Sequence, residues 1–121
     1  MAKSIKEFTK IINEFADKRG WNNDDPRELI TSLIVELGEL SEHFQRKNKF
    51  WKLNEEEKKI VGYEFVDIIF YLLRLASKSG IDLEQAFDEK LPKLEVKFPL
   101  GSDRDEQHRK YRKIGKNKKY E

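Results

Sequence analysis

Cysteine is absent from the chain, which removes disulfides, zinc–thiolate sites and thiol nucleophiles from consideration. An excess of one charge is also missing. Lys and Arg number 25 against 23 Asp and Glu in 121 residues, so the net balance points to no class of partner. No apolar run is long enough to span a bilayer, and the longest, Phe65 to Ala76, is broken by Asp67 and Arg74. The first residues, Met1 to Glu7, lack the apolar stretch of a signal peptide. These absences predict a soluble, cytoplasmic protein without a membrane partner. Hydrophobic content of 37% against 40% charged leaves a limited core for a single domain, so part of the apolar surface is expected to be covered by self-association.

Strand alternation is missing as well, whereas helical periodicity recurs and predicts an all-α chain. Ser4 with Glu7, Asp25 with Glu28, Asn54 with Glu57, and Asp82 with Gln85 each place a cap residue three before an acid or amide. Helices are therefore expected over roughly 4–19, 26–47, 55–79 and 83–96. Pro26 suits a first helical position, and Gly20 and Gly80 suit left-handed stops. Ile5, Phe8, Ile12, Phe15 and Ala16 form the apolar face of the first helix, and the third helix is apolar on most sides, as befits a central element. Pro99 and Gly101 mark a boundary between an all-α domain over 1–100 and a basic tail over 101–121.

Against this background two acidic pairs stand out, Glu36-x-x-Glu39 and Glu64-x-x-Asp67, each inside an apolar helix. Residues three apart share a helix face. Four carboxylates in apolar surroundings cannot all stay ionised without a cation. With Leu33 at zero and about 100° per residue, Glu36 lies at about −60° and Glu39 at about −120°, flanking the apolar stripe of Leu29, Ile30, Leu37, Leu40 and Phe44. Glu42 falls on the far side, toward water. On the third helix Glu64, Asp67, Tyr71, Arg74 and Lys78 share one polar seam. Two such pairs on facing helices make an all-oxygen site suited to Mg²⁺, with Mn²⁺ as the second choice. The bland alternative is surface charge on solvated helices. The two histidines do not form the Glu-x-x-His repeats of a di-iron bundle, and His43 reads as a helix-flank residue.

These residues resemble a known family. Glu36-Leu-Gly-Glu39-Leu-Ser-Glu42, Glu64-Phe-Val-Asp67-Ile-Ile-Phe-Tyr71, Gly80-Ile-Asp-Leu-Glu-Gln-Ala-Phe87 and Lys97-Phe-Pro99 are similar to the MazG-like all-α nucleoside triphosphate pyrophosphohydrolases, nearest to the dCTP pyrophosphatase branch. The resemblance runs from about Trp21 to Pro99. It implies a four-helix bundle-type fold completed by oligomerisation, as a homodimer or homotetramer. It implies that Glu36, Glu39, Glu64 and Asp67 bind Mg²⁺, and that a (deoxy)nucleoside triphosphate is hydrolysed to monophosphate and pyrophosphate. Glu39 is the candidate for orienting or deprotonating the attacking water, in place of a pure ligand role.

Other positions carry over as substrate contacts: Trp21 as a base-stacking ring or else a hydrophobic staple, Tyr71 beside the acids, and Lys90 and Lys97 toward phosphates. Arg74, on the polar seam, is expected to face phosphate as well. Two positions depart from the branch, Arg46 where a second stacking tryptophan is expected (with Trp51 a few residues on) and Leu94 in place of an asparagine. They leave the base open. The basic tail, with Tyr111 and Tyr120 among its Lys and Arg, reads either as a lid over the triphosphate or as a solvated end. The competing functions are a non-catalytic helical interaction module and, less fitting for a body without a basic stripe, a nucleic-acid binder.

Overall fold

A computed structural model describes residues 2–21, 23–45, 52–101, 105 and 109. Its helices are α1 (Ile5–Lys18), α2 (Pro26–Gln45), α3 (Glu55–Lys78) and α4 (Leu83–Lys97), and no strand occurs among the described residues. The expected spans agree to within a residue or two where they can be compared. Arg46, Trp51 and nearly all of the basic tail lie outside the described residues.

The helix ends follow the sequence signals. Ser4 and Asn54 form reciprocal capping boxes with Glu7 and Glu57. Asp25 caps α2 differently: its Oδ1 accepts the Arg27 backbone N–H at 2.8 Å and its other oxygen pairs with the Arg27 guanidinium at 2.9 Å. Gly20 and Gly80 take φ of 75° and 70°. Each sits in the same double closure, in which the glycine N–H and the next N–H reach back to the carbonyls of Asp17 and Ala16, or of Ser77 and Ala76. Only glycine adopts that conformation without strain. α1 therefore ends abruptly, and the chain turns at Trp21 toward α2.

The chain divides into two compact units, Met1–Asp82 and Leu83–Glu121, and the expected boundary near residue 100 lies inside the second. In the first unit α3 is the element on which both α1 and α2 pack, which is the central role expected of it. The buried side chains are Ala16 of α1, Leu29 of α2, and Val61, Leu73 and Arg74 of α3. On α2 the stripe withdrawn from solvent comprises Leu29, Ser32, Leu33, Glu36, Leu40, His43 and Phe44. It is rotated by roughly 40° toward Glu36 relative to the expected apolar stripe. Ile30 and Leu37, expected inside, remain exposed, as do Ile5, Phe8 and Phe15 of α1.

In the second unit, α4 continues through Pro92, which forfeits one backbone N–H donor without ending the helix. No residue of α4 is buried, and Phe87, Leu91 and Leu94 present an exposed apolar stripe.

Candidate active site

Glu36 lies within the packed stripe of α2, so helix packing turns its carboxylate toward α3. From α3, Glu64 is half-buried and Asp67 stays exposed. One potential ligand oxygen from each of Glu36, Glu64 and Asp67 falls within 4.8 Å of the others. Oxygens around an octahedral cation with bonds of about 2.1 Å stand roughly 3 to 4.2 Å apart, and an outer limit of 4.8 Å leaves these three able to converge on a Mg²⁺-sized ion with small side-chain movement. Among the described residues, Glu36 Oε2 and Glu64 Oε2 are buried without a hydrogen-bond partner. Unpaired buried carboxylate oxygens are costly unless a cation meets them. The Glu36 carboxyl is held above its usual range, first by burial, then by the charges of Glu39 and Asp67, a hydrogen bond shared with Glu39, and the charge of Glu64. The residues fit a divalent metal.

Glu39 stands one step outside the three-residue group. It is exposed and reaches the cluster through its interaction with Glu36. His43, read from sequence as a flank residue, sits on the packed stripe with Nε2 3.6 Å from Glu64 Oε1, which leaves Oε2 as the free oxygen of that carboxylate.

Beside the acids lies a cavity of about 380 Å³. Glu36, Asp67 and Tyr71 line it together with the apolar Ile11, Ile12, Phe15 and Phe70. Carboxylates and aromatic rings in one lining make a site for a ligand with a charged part and a flat organic part. The contribution of α1 escaped the sequence reading, in which its apolar residues were all core. Phe15 and Phe70 meet edge to face at 5.9 Å, and Phe70 meets Tyr71 at 5.6 Å.

Trp21 does not line this cavity. Its ring packs edge-on against Phe15 and Phe70, with centroids 5.9 and 6.5 Å away, and stays 42% exposed. That placement joins α1 to α3 rather than stapling onto α2. Lys90 and Lys97 occur together on α4, where with Lys93 and Val96 they line a separate cavity of about 290 Å³.

Arg74 departs from its expected place on a phosphate-facing seam. Only 2% exposed, it donates from Nη1 to Asn13 Oδ1 at 3.1 Å, and from Nη2 to the Trp21 carbonyl at 2.6 Å and Asp24 Oδ2 at 3.3 Å. Helical spacing puts it near Tyr71, but Asn13 of α1 engages one terminal nitrogen of its guanidinium and the turn after α1 engages the other. Arg74 thus ties α3 to α1 and to the connection that follows it.

Comparison with known proteins agrees with this geometry. The family described as dUTPase matches residues 2–118. The chain is 32% identical over 107 residues to dCTP pyrophosphatase 1 of Bos taurus and 30% identical over 107 residues to that of Mus musculus, with 80% of this chain aligned in each case. It spans about 60% of the length of these relatives. Among solved structures it resembles a pyrophosphatase from Archaeoglobus fulgidus, with a TM-score of 0.61 and 30% identity over 82% of this chain and 95% of that one. A match along nearly the whole chain, an all-helical fold and a converging set of acids place the protein in this family, the MazG-like all-α nucleoside triphosphate pyrophosphohydrolases.

Proposed function

We propose that the protein hydrolyses a (deoxy)nucleoside triphosphate to the monophosphate and pyrophosphate, within the cytoplasmic nucleotide pool. The observation that carries this reading is the group of Glu36, Glu64 and Asp67, with two buried unpaired oxygens, opening onto a cavity with an aromatic wall. The family relation and the names of its relatives agree with it. The acids account for the phosphate end and the rings for the base.

Glu36, Glu64 and Asp67, with Glu39 as the fourth acid, are the residues that would hold Mg²⁺ or Mn²⁺. The cation supplies charge neutralisation and polarisation of the phosphoryl oxygens. To Glu39, exposed and outside the tight group, we assign the orienting of a water and the taking of its proton. The water oxygen bonds to the α-phosphorus while the bond from that phosphorus to the bridging oxygen breaks. The bridging oxygen leaves with pyrophosphate, and the proton rests on Glu39 until solvent removes it. Phe15, Phe70 and Tyr71 receive the base and sugar and keep bulk water from that side. The exposed part of Trp21 offers a further stacking surface, and Lys90 and Lys97 are the cationic partners proposed for the phosphates.

We also propose that the active unit is a homodimer or homotetramer. Support comes from large apolar side chains left exposed on α2 and α3, among them Ile34 at 62% and Val66 at 60%. Large apolar side chains left in solvent in such number favour burial against a second copy of the chain.

A panel of nucleoside triphosphates with Mg²⁺, beginning with dCTP and dUTP, tests the activity by pyrophosphate release. Turnover of at least one nucleotide, abolished by EDTA, is expected. Absence of turnover across the panel with Mg²⁺ and with Mn²⁺ overturns the proposal.

A further inference from the structure

We infer that Arg74 is a positioning residue that sets the base end of the nucleotide pocket from behind. The inference rests on the proposed nucleotide site. Arg74 is a buried cation on α3, and its Nε has no partner among the described residues. A buried guanidinium is expensive to desolvate, and an apolar side chain of similar volume often serves stability as well or better. What the guanidinium adds is geometry. Its fork spans three acceptors on two pieces of chain: Asn13 on α1, and the Trp21 carbonyl and Asp24 in the connection to α2. Asn13 in turn donates to Ser77 Oγ at 2.9 Å, one turn further along α3. The turn after α1 is thus tied to the helix that carries Glu64, Asp67 and Tyr71.

The tie reaches the cavity through the Trp21 ring. With its carbonyl fixed by Arg74, Trp21 leans on Phe15 and Phe70, and those two rings form the aromatic wall. Phe15 comes from α1 and Phe70 from α3, so the placement of α1 against α3 sets the shape of the wall that these two touching rings present. Arg74 touches neither the acids nor the cavity. Its effect should therefore fall on how well the base is held, and not on the chemical step or on metal binding. Lysine is a poor replacement, because a single ammonium cannot reproduce the planar fork that engages acceptors on both sides.

The experiment compares Arg74→Met, Arg74→Lys and Asn13→Ala with wild type, using full-length protein whose helicity and oligomeric state have been checked. Steady-state kinetics give KM and kcat for the best nucleotide of the panel, and calorimetry gives the Mn²⁺ affinity. Arg74→Met is expected to raise KM about tenfold, with kcat and Mn²⁺ affinity within about twofold of wild type. Arg74→Lys should fall between the two. Asn13→Ala, which removes one acceptor, should raise KM about threefold and carries the test if Arg74→Met does not fold.

Unchanged KM in the folded variants overturns the inference. So does a parallel loss of kcat and Mn²⁺ affinity, which would mean general loosening of the unit. Failure of the activity proposal is separable, because it shows in wild type. In that event, the dissociation constant of a non-hydrolysable nucleoside triphosphate analogue replaces KM. An unchanged constant in the variants, or no binding by wild type, again overturns the inference.

Discussion

Replacing Glu36 by Gln removes one negative charge from the acid group while keeping nearly the same shape. In the metal-free protein this should stabilise the fold. Glu36 faces Glu64 and Asp67 with ligand oxygens no more than 4.8 Å apart. Two unit charges at that distance repel by about 3.5 kcal/mol at an effective dielectric near 20, and by about 0.9 kcal/mol in bulk water. The site is open on the Asp67 side, so solvent screening pulls each term toward the lower figure. The expected net gain is about 1 to 3 kcal/mol. For a chain of this size, that corresponds to a rise of roughly 3 to 5 °C in Tm per kcal/mol.

Metal reverses the order. A ligand at one hundred times its Kd stabilises the wild-type fold by about 2.7 kcal/mol, and Glu36→Gln forfeits much of that. Thermal denaturation at fixed protein concentration, with EDTA and then with excess Mg²⁺, should show the curves exchange places. pH adds a second signature. The native Glu36 carboxyl titrates above its ordinary 4.5. Between those two values the folded state holds more protons than the unfolded one, so this contribution to metal-free stability falls as pH rises. It is fully present below 4.5 and lost above the native pKa. Glu36→Gln should lack that slope. A variant less stable than wild type in EDTA, or one with an undiminished response to Mg²⁺, refutes the reasoning.

Glu39→Gln is expected to abolish turnover while leaving far-UV circular dichroism and melting near wild type, since Glu39 is exposed and outside the tight acid group; wild-type turnover in this variant would remove Glu39 from the mechanism. Asn54→Ala should cost about 1 kcal/mol in urea denaturation, because the Glu57 backbone N–H loses its acceptor, Asn54 Oδ1, while the Asn54 backbone N–H can still reach Glu57; an unchanged midpoint would contradict the assigned cap. Ile34→Asp places a charge on an exposed apolar position of α2 and should shift sedimentation toward a smaller species; identical sedimentation at all concentrations would take that face out of the proposed assembly.

The helix ends were legible because capping and left-handed stops are local: Ser4, Asn54, Gly20 and Gly80 each act on atoms a few residues away. The acid pairs were legible for a related reason, since three-residue spacing sets a shared face. The rotation of α2 was not legible. A full apolar stripe on one helix does not reveal how much of it a single chain covers, and here Ile30 and Leu37 are left out while Glu36 turns in. Arg74 was misplaced because periodicity ranks it with Tyr71, whereas its environment comes from Trp21 and Asp24, some fifty residues away in sequence. His43 and the α1 wall of the cavity were missed for the same reason, because both are defined by tertiary contacts across helices.

The central claim is that the acids on α2 and α3 serve cleavage between the α- and β-phosphates of a nucleoside triphosphate. Anion-exchange separation of the products formed from the preferred nucleotide, across a Mg²⁺ titration from EDTA to saturation, tests it most directly. Monophosphate and pyrophosphate in equal amounts, absent in EDTA and rising with Mg²⁺ in wild type but not in Glu64→Gln, are predicted. Diphosphate and orthophosphate as products, or metal-independent turnover, would contradict the account.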